Sequence, residues 1–314
     1  MDIKDMLKAL DSAVKGINET TLGDSILQPT KLASFVEAMQ LRANVLQEVT
    51  IQTMTSNKED LDVTGFSGRI ITKGITSGGV SRGTETDSDL VFSTPTLRTA
   101  EFRAKTSLTD RALRRNIERG NLEDHLIQLM GEAAGRDWEE VALFGDLDLG
   151  NVVLGTMDGF LQQAGNSVIN GFVLGTDNPE DLFEAMLEDL PKQYLIDPAE
   201  YRFYVPWALE NDYRDKLKAR GTALGDSAQT GAGELAYKGI PVRRAPIMER
   251  DTVYNPPALL ANPMQMVAGV FHQITIEPDR DAENRKTDFY LTWEGDVTYT
   301  EANSAVASLI PAAT

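Results

Sequence analysis

One stretch constrains the fold more than any other: SLTDRALRRNIERGNLEDHLIQLMGEAAGRDWEEVALFGD, residues 107–146. Its second half places Leu122, Leu126, Leu129, Met130, Ala133, Ala134, Val141 and Phe144 close to the 3.6-residue period of an amphipathic helix. Asn121 is positioned to cap the start, and Glu123 and Asp124 fall in the first turn, where the helix dipole favours negative charge. Gly145 is placed to end it. A helix of about 23 residues spans roughly 35 Å. This predicts a beam to which the rest of the chain is fixed. Ahead of it, Ser107 or Thr109 is placed to cap a shorter helix over residues 111–119, set apart by Gly120. Arg111, Arg114, Arg115 and Arg119 share one side of that helix, a positive stripe read as pairing with acidic groups of a neighbour or lying in solvent, ahead of contact with nucleic acid.

The segment before the beam changes period twice. Ile3, Leu7, Leu10, Val14 and Ile17 alternate in steps of four and three, the seam of a short coiled coil or of a helix docked on its own domain or on a partner. After Gly23, Pro29 and Thr30 open a second helix with Leu32, Phe35, Val36, Met39, Ala43 and Leu46 on its apolar side. Val49, Ile51 and Met54 then alternate as a strand does. From Leu61 to Thr106 two β-rich runs flank ITSGGVSRGTETDSD, which has almost nothing to bury. The pattern predicts a long hairpin whose tip leaves its domain. Because a lone two-stranded arm is marginal in water, it needs something else to lie on.

After the beam, DLDLGNVVLGTMDGFLQQAGN reads as a glycine-rich connector, with a domain boundary near residue 150. Asn178 and Pro179 start a helix bearing Leu182, Phe183, Met186, Leu187 and Leu190, stopped by Pro191. Tyr201, Phe203 and Val205 form a strand, Pro206 opens a helix through Leu217, and GTALGDSAQTGAGEL forms a Gly-rich loop. GIPVRRAPIM and the segment around residues 258–261 add strands. GVFHQITIEP and TDFYLTWEGDVTYTEA close the chain as a β unit, with Glu294, Gly295 and Asp296 expected to turn.

Composition narrows the function classes. At 41% hydrophobic the 314 residues can bury a full core, and no apolar run is long enough to cross a bilayer. The first residues lack the apolar core of a signal peptide, so the expected place of synthesis is the cytoplasm. A net charge of −18 argues against a chain built to grip phosphates, and the absence of cysteine removes disulfides and thiol chemistry. The loop GTALGDSAQTGAG has neither the Gly-Lys-Ser/Thr ending of a P-loop nor a GxGxxG order. Asp279, Asp281 and Glu283 open like a calcium loop, but Asn284 stands where Gly is needed and Tyr290 where Glu is needed. His125 and His272, the two histidines, lie in unlike elements with no carboxylate motif beside them. The reading is therefore a non-enzyme, with no catalytic, cofactor or metal residues.

In order, these parts resemble the major capsid proteins of tailed bacteriophages, a fold shared with encapsulins. The likeness is carried by the 107–146 stretch, by PEDLFEAMLEDLPKQYL followed by YRFYVPWALENDYRDKLKARGTAL, and by AYKGIPVRRAPIM leading to ITIEPDRDAENRKTDFYLTWEGDVTYTEANSAV. The resemblance implies an α+β fold divided into an N-terminal arm (1–57), an extended β-hairpin or E-loop (58–106), a peripheral-domain spine helix (107–150), an axial domain (151–262) and a return to the peripheral-domain β unit (263–314). It implies a shell subunit assembling as hexamers and pentamers around packaged double-stranded DNA, in the virion. Portal, scaffolding and decoration proteins are the expected partners, with no membrane. Candidate contacts between subunits are the seam Ile3, Leu7, Leu10, Val14 and Ile17, the arm residues Lys73, Arg82 and Glu85, and the stripe Arg111, Arg114, Arg115 and Arg119. Some members of that family cross-link through an E-loop lysine; no asparagine and glutamate match here, so no cross-link is assigned to Lys73. An encapsulin-type shell enclosing a cargo enzyme, and more remotely a carboxylate-based metal enzyme, are the other readings.

Overall fold

The computed structural model describes residues 44–61, 63–66, 90–109, 122–168, 172–219, 235–250, 256–271 and 275–309. Within these residues the α+β class holds: two larger sheets, two short two-stranded ladders and one long helix.

The longest strand, β14 (Lys286–Tyr299), organises the first sheet. One of its edges carries β6 (Ala100–Thr109), from Thr109 opposite Lys286 to Ala100 opposite Gly295. Its other edge carries β13 (Thr275–Asp281) and then β12 (Met266–Phe271), both antiparallel, and β1 (Thr50–Met54) adds to β12 in parallel. The expected turn at Glu294–Asp296 is corrected: the strand runs straight through. The chain reverses instead after Asp281, whose carboxylate accepts from the backbone N–H of Asn284 at 3.0 Å and its side-chain amide at 2.7 Å. Gly295 sits in the strand because a Cβ there would lie 3.2 Å from the Gly269 carbonyl oxygen and 3.3 Å from the Trp138 ring. Ser107 lies inside β6, so it does not cap a helix.

The beam, α1 (Leu122–Phe144), has the expected length and lies on this sheet. Its buried side runs through Ala134, Trp138, Val141, Ala142 and Leu143. Leu129, expected on the apolar face, is instead exposed. Residues 145–165 are more than a connector: Met157, Phe160 and Leu161 are fully buried, and Tyr299 donates to the Phe160 carbonyl at 3.0 Å. Phe160–Gln163 forms the short helix α2.

The second sheet contains, in spatial order, β7 (Asn166–Val168), β15 (Val306–Ser308), β11 (Ala258–Ala261), β8 (Arg202–Val205), β10 (Ile240–Arg244) and β9 (Ala236–Tyr237). Alternation divides it between two cores. Tyr204, Leu259 and Ala307 face the core shared with the beam, while Phe203, Val205, Leu260 and Val306 face a second core under α3 (Pro179–Asp189) and α4 (Trp207–Lys218). Asn178 makes no side-chain cap, but Glu249 accepts from the Ala208 N–H at 2.9 Å and caps α4 from a distance. The strand expected after Val49 is β1, whereas residues 44–49 form a turn, so the helix expected to include Leu46 does not reach it.

Gly145 ends the beam for a steric reason: a Cβ on it would lie 2.3 Å from the Met157 carbonyl oxygen. A Cβ at Gly159 would lie 2.7 Å from the Gly145 nitrogen and 2.7 Å from the Leu143 carbonyl oxygen, whereas one at Gly150 meets nothing within 4 Å. Gly159→Ala is therefore expected to cost more than about 3 kcal/mol or to prevent folding, because backbone cannot yield as a side chain does. Gly150→Ala should be within about 1 kcal/mol of neutral. Urea denaturation of the two variants checks the contrast.

Candidate functional site: the root of the arm and the N-terminal anchor

Two short ladders leave the first sheet together. In one, β2 (Lys58–Asp60) pairs with β5 (Thr96–Arg98); in the other, β3 (Val63–Phe66) pairs with β4 (Leu90–Ser93). Asp60 stands opposite Thr96 and Val63 opposite Ser93, so both ladders share one register, as an unbroken hairpin requires. The Leu61 N–H donates to the Pro95 carbonyl at 2.8 Å, and the Thr96 hydroxyl donates to Asp60 at 2.7 Å. That hydroxyl, with Lys58 beside it, holds the Asp60 carboxyl below its ordinary value.

Three contacts fasten the root. Leu97 is completely buried with Met54, Val267 and Phe271. Room for it exists because residue 269 is glycine: a Cβ there would stand 2.7 Å from the Met54 sulfur and 3.0 Å from Leu97 Cδ1. Next to it, the Arg98 N–H donates to Asp296 Oδ2 at 2.6 Å, and the Thr99 hydroxyl donates to Glu294 at 2.7 Å. The strand then continues as β6, and opposite it the buried Asp288 of β14 takes Lys105 and Lys286, each at 2.9 Å. The Ser107 hydroxyl and these two ammonium groups hold Asp288 far below the usual carboxylate range.

The N-terminal segment is anchored independently. Glu139 of the beam accepts from the Val45 N–H at 2.6 Å. Burial pushes its carboxyl up, against the opposing pull of the backbone N–H groups of Val45, Asn44 and Leu46. Val45, Leu46 and Val49 are buried in the beam's core. Glu48 accepts from the Tyr204 hydroxyl at 2.7 Å and lies 3.6 Å from Arg243, which ties the same turn to the second sheet. The arrangement is mechanical in kind. It sets where two chain segments depart, and no group of three potential metal ligands stands together among the described residues.

The contact candidates named above, from Ile3 through Lys73, Arg82 and Glu85 to Arg119, all lie outside the described residues. His125 falls within α1, and His272 lies outside the described residues. Sequence reasoning missed Leu97, Gly269, Asp296 and Glu139. An isolated glycine in the apolar run MVAGVF was the available signal for a close approach. Asp296 was hidden by its place in Glu-Gly-Asp, which reads as a turn.

No family model matches the chain. In sequence it is 28% identical over 292 residues to the "Putative prophage capsid protein YqbE" of Bacillus subtilis (strain 168), spanning 91% of this chain and 92% of that protein. In structure it is similar to a chain of the satellite phage P4 procapsid, with a TM-score of 0.64 at 13% identity over 98% of each. It is also similar to the SrpI encapsulin of Synechococcus elongatus PCC 7942, with a TM-score of 0.55 at 9% identity over 85% of this chain and 87% of that one.

Two predictions follow from the root. Leu97→Ala should cost about 2–5 kcal/mol. Gly269→Ala should cost about 1–3 kcal/mol by overpacking, and the double variant should cost less than the sum, since each relieves the other. Denaturant titrations of all three measure the coupling. The second concerns Asp296, whose carboxyl burial raises to about 6, helped by Asp158 and opposed by the Arg98 and Val297 N–H groups. Between its ordinary value and about 6 the folded state holds more protons than the unfolded one, so this group's contribution falls as pH rises. The stability of the unmodified chain minus that of Asp296→Asn should drop by up to about 3 kcal/mol from pH 4 to pH 6.5, read by unfolding across that range.

Proposed function

This chain has the fold of the tailed-phage major capsid proteins, and on that premise we propose that it is the major subunit of an icosahedral phage shell. The observation that carries this reading is the prophage capsid relative, which aligns along nearly the whole of both chains. The subunit associates with copies of itself. Hexamers and pentamers are the symmetric rings from which such a shell closes. Its site of action is the virion, enclosing double-stranded DNA held by confinement and counterions, which suits a chain of net charge −18. Portal, scaffolding and decoration proteins are the partners this role calls for, and the role is structural.

In the same reading residues 1–57 are the N-terminal arm, 58–106 the E-loop, 107–150 the spine helix region, 151–262 the axial domain and 263–314 the return to the peripheral domain. The buried root at Leu97 and the Glu139 clamp support it, because segments that reach a neighbour must be held firmly at their base. The seam from Ile3 to Ile17, the arm residues Lys73, Arg82 and Glu85, and the arginines from Arg111 to Arg119 are proposed as contacts between subunits.

An encapsulin-type compartment is the second reading, favoured by the likeness to the SrpI encapsulin. Electron microscopy of the protein expressed with its neighbouring genes decides both questions. Closed shells that protect double-stranded DNA from nuclease are expected. Shells filled with a co-purifying enzyme establish the second reading, and a strictly monomeric chain at all salt and protein concentrations overturns both.

A further inference from the structure

Glu139 is only 3% exposed, yet among the described residues no ammonium or guanidinium group pairs with it. Its partners are three successive backbone N–H groups, those of Asn44, Val45 and Leu46, with Val45 at 2.6 Å. Such a run of N–H groups cradles an anion. The charged groups on the elements around it are engaged elsewhere. On the beam, Arg136 lies 3.3 Å from Asp137, and Glu140 lies 2.7 Å from Arg250 of the 246–250 turn, whose Glu249 caps α4. Glu132, seven residues earlier and so on the same side of the helix, is a second carboxylate, and its charge would only add to the cost of ionising Glu139. Within the turn at residues 44–49, Glu48 takes the Tyr204 hydroxyl, with Arg243 3.6 Å and Arg202 4.0 Å away. After the beam, Asp146 takes the Gln162 amide and Asp158 the Leu147 N–H, each at 3.0 Å. The first sheet turns Phe102, Ala104, Leu291 and Trp293 toward the beam, and none of these titrates.

Two influences therefore oppose each other at this carboxyl. Removal from water disfavours the charge and is the larger, while the three N–H groups favour it, so the proton is held above the ordinary glutamate range. When the turn lifts from the beam, Glu139 meets water, loses its N–H partners and returns to that ordinary range. We propose that the turn at residues 44–49 is a proton-operated strap: seating it on the beam takes up a proton at Glu139, and a rise in pH loosens the base of the N-terminal segment while both sheets stay folded. Between the ordinary and the raised value the seated form binds more protons than the lifted one. The contribution of this group to seating is thus fully present below the ordinary range and is lost as pH rises through the raised value. What remains is set by Val45, Leu46 and Val49, whose burial does not titrate. The detachment has a defined end, because β1, next in the chain, is paired along its whole length with β12. The strap is a property of one subunit, so it goes beyond the shell reading and does not depend on it.

Amide hydrogen exchange at residue resolution, on unassembled subunits from about pH 5 to about pH 8, tests the strap, with each rate compared with its intrinsic value at the same pH. Protection of Val45 and Leu46 should fall severalfold across that range, and by no more than about tenfold per pH unit, the limit for one proton. Amides of β11, in the middle of the second sheet, should stay better protected than Val45 throughout, as local detachment requires. Glu139→Gln keeps an acceptor oxygen and cannot ionise, so in that variant the protection of Val45 should not change with pH. Flat protection in the unmodified chain overturns the inference, as does an equal slope in the variant. Exchange of Val45 no faster than that of β11 also overturns it, since the turn would then leave the beam only on global unfolding. Should the glutamine variant not fold, the Glu139 carboxyl of the unmodified chain is titrated directly by carbon-13 NMR. A midpoint above the ordinary glutamate range that coincides with the fall in Val45 protection upholds the strap, and any other midpoint overturns it.

Discussion

The ladder between β6 and β14 is the interaction on which the rest of the structure depends. It runs the whole length of β6, from Ala100 to Thr109, and joins the chain that descends from the arm to the closing strand of the body. Since β14 also carries β12 and β13 on its other edge, one strand holds the arm's base, the N-terminal strand β1 through β12, and the platform under the beam. Gly295 is the point where these meet. It pairs with Ala100 on one side and Val270 on the other, and its missing side chain admits the Trp138 ring.

The second sheet works as a wall common to two cores. Successive residues of β8 and β11 point to opposite sides, Tyr204 and Leu259 toward the beam, Phe203 and Leu260 toward α3 and α4. A disturbance under one helix layer therefore reaches the other through strands that have no slack. The turn at residues 44–49 exploits this by bonding to the beam through Glu139 and to the wall through Glu48 and Tyr204. Both departing segments are thus fixed by buried contacts rather than by surface ion pairs, which contribute little in water.

The features legible in the sequence were those with a local signature. The beam's length, the start of α3 at Pro179, the start of α4 after Pro206 and the β character of residues 58–66 and 90–106 follow from period, proline and composition. What escaped depended on distant partners. Glu-Gly-Asp at residues 294–296 has turn composition, but the sheet overrides it because β6 and β12 pair with the strand on both sides. Leu129 fits the apolar run and still faces outward, because nine residues of helix put it on the side opposite the buried Trp138. The arm's root was invisible for the same reason: Leu97, Gly269 and Asp296 lie far apart in the chain and meet only when the sheet has formed.

Charge distribution decides what kind of attraction remains for assembly. Many of the described cations are engaged within their own subunit: Arg214 and Arg244 with Glu210, Arg202 and Arg243 with Glu48, Arg250 with Glu140, Lys105 and Lys286 with Asp288. The excess of carboxylates is left on the surface, where it keeps separate copies soluble and makes them repel one another. Closing the proposed shell from such subunits calls for contacts that do not depend on opposite charge, such as apolar seams and backbone ladders. Screening by salt then weakens the repulsion while leaving those contacts intact. Ionic strength thus acts on subunit contacts in the opposite sense to its action on phosphate binding, which salt weakens. On the proposed reading an acidic subunit around a nucleic acid is consistent on these terms, since such a shell needs its copies to fit each other and needs the polymer only to be confined.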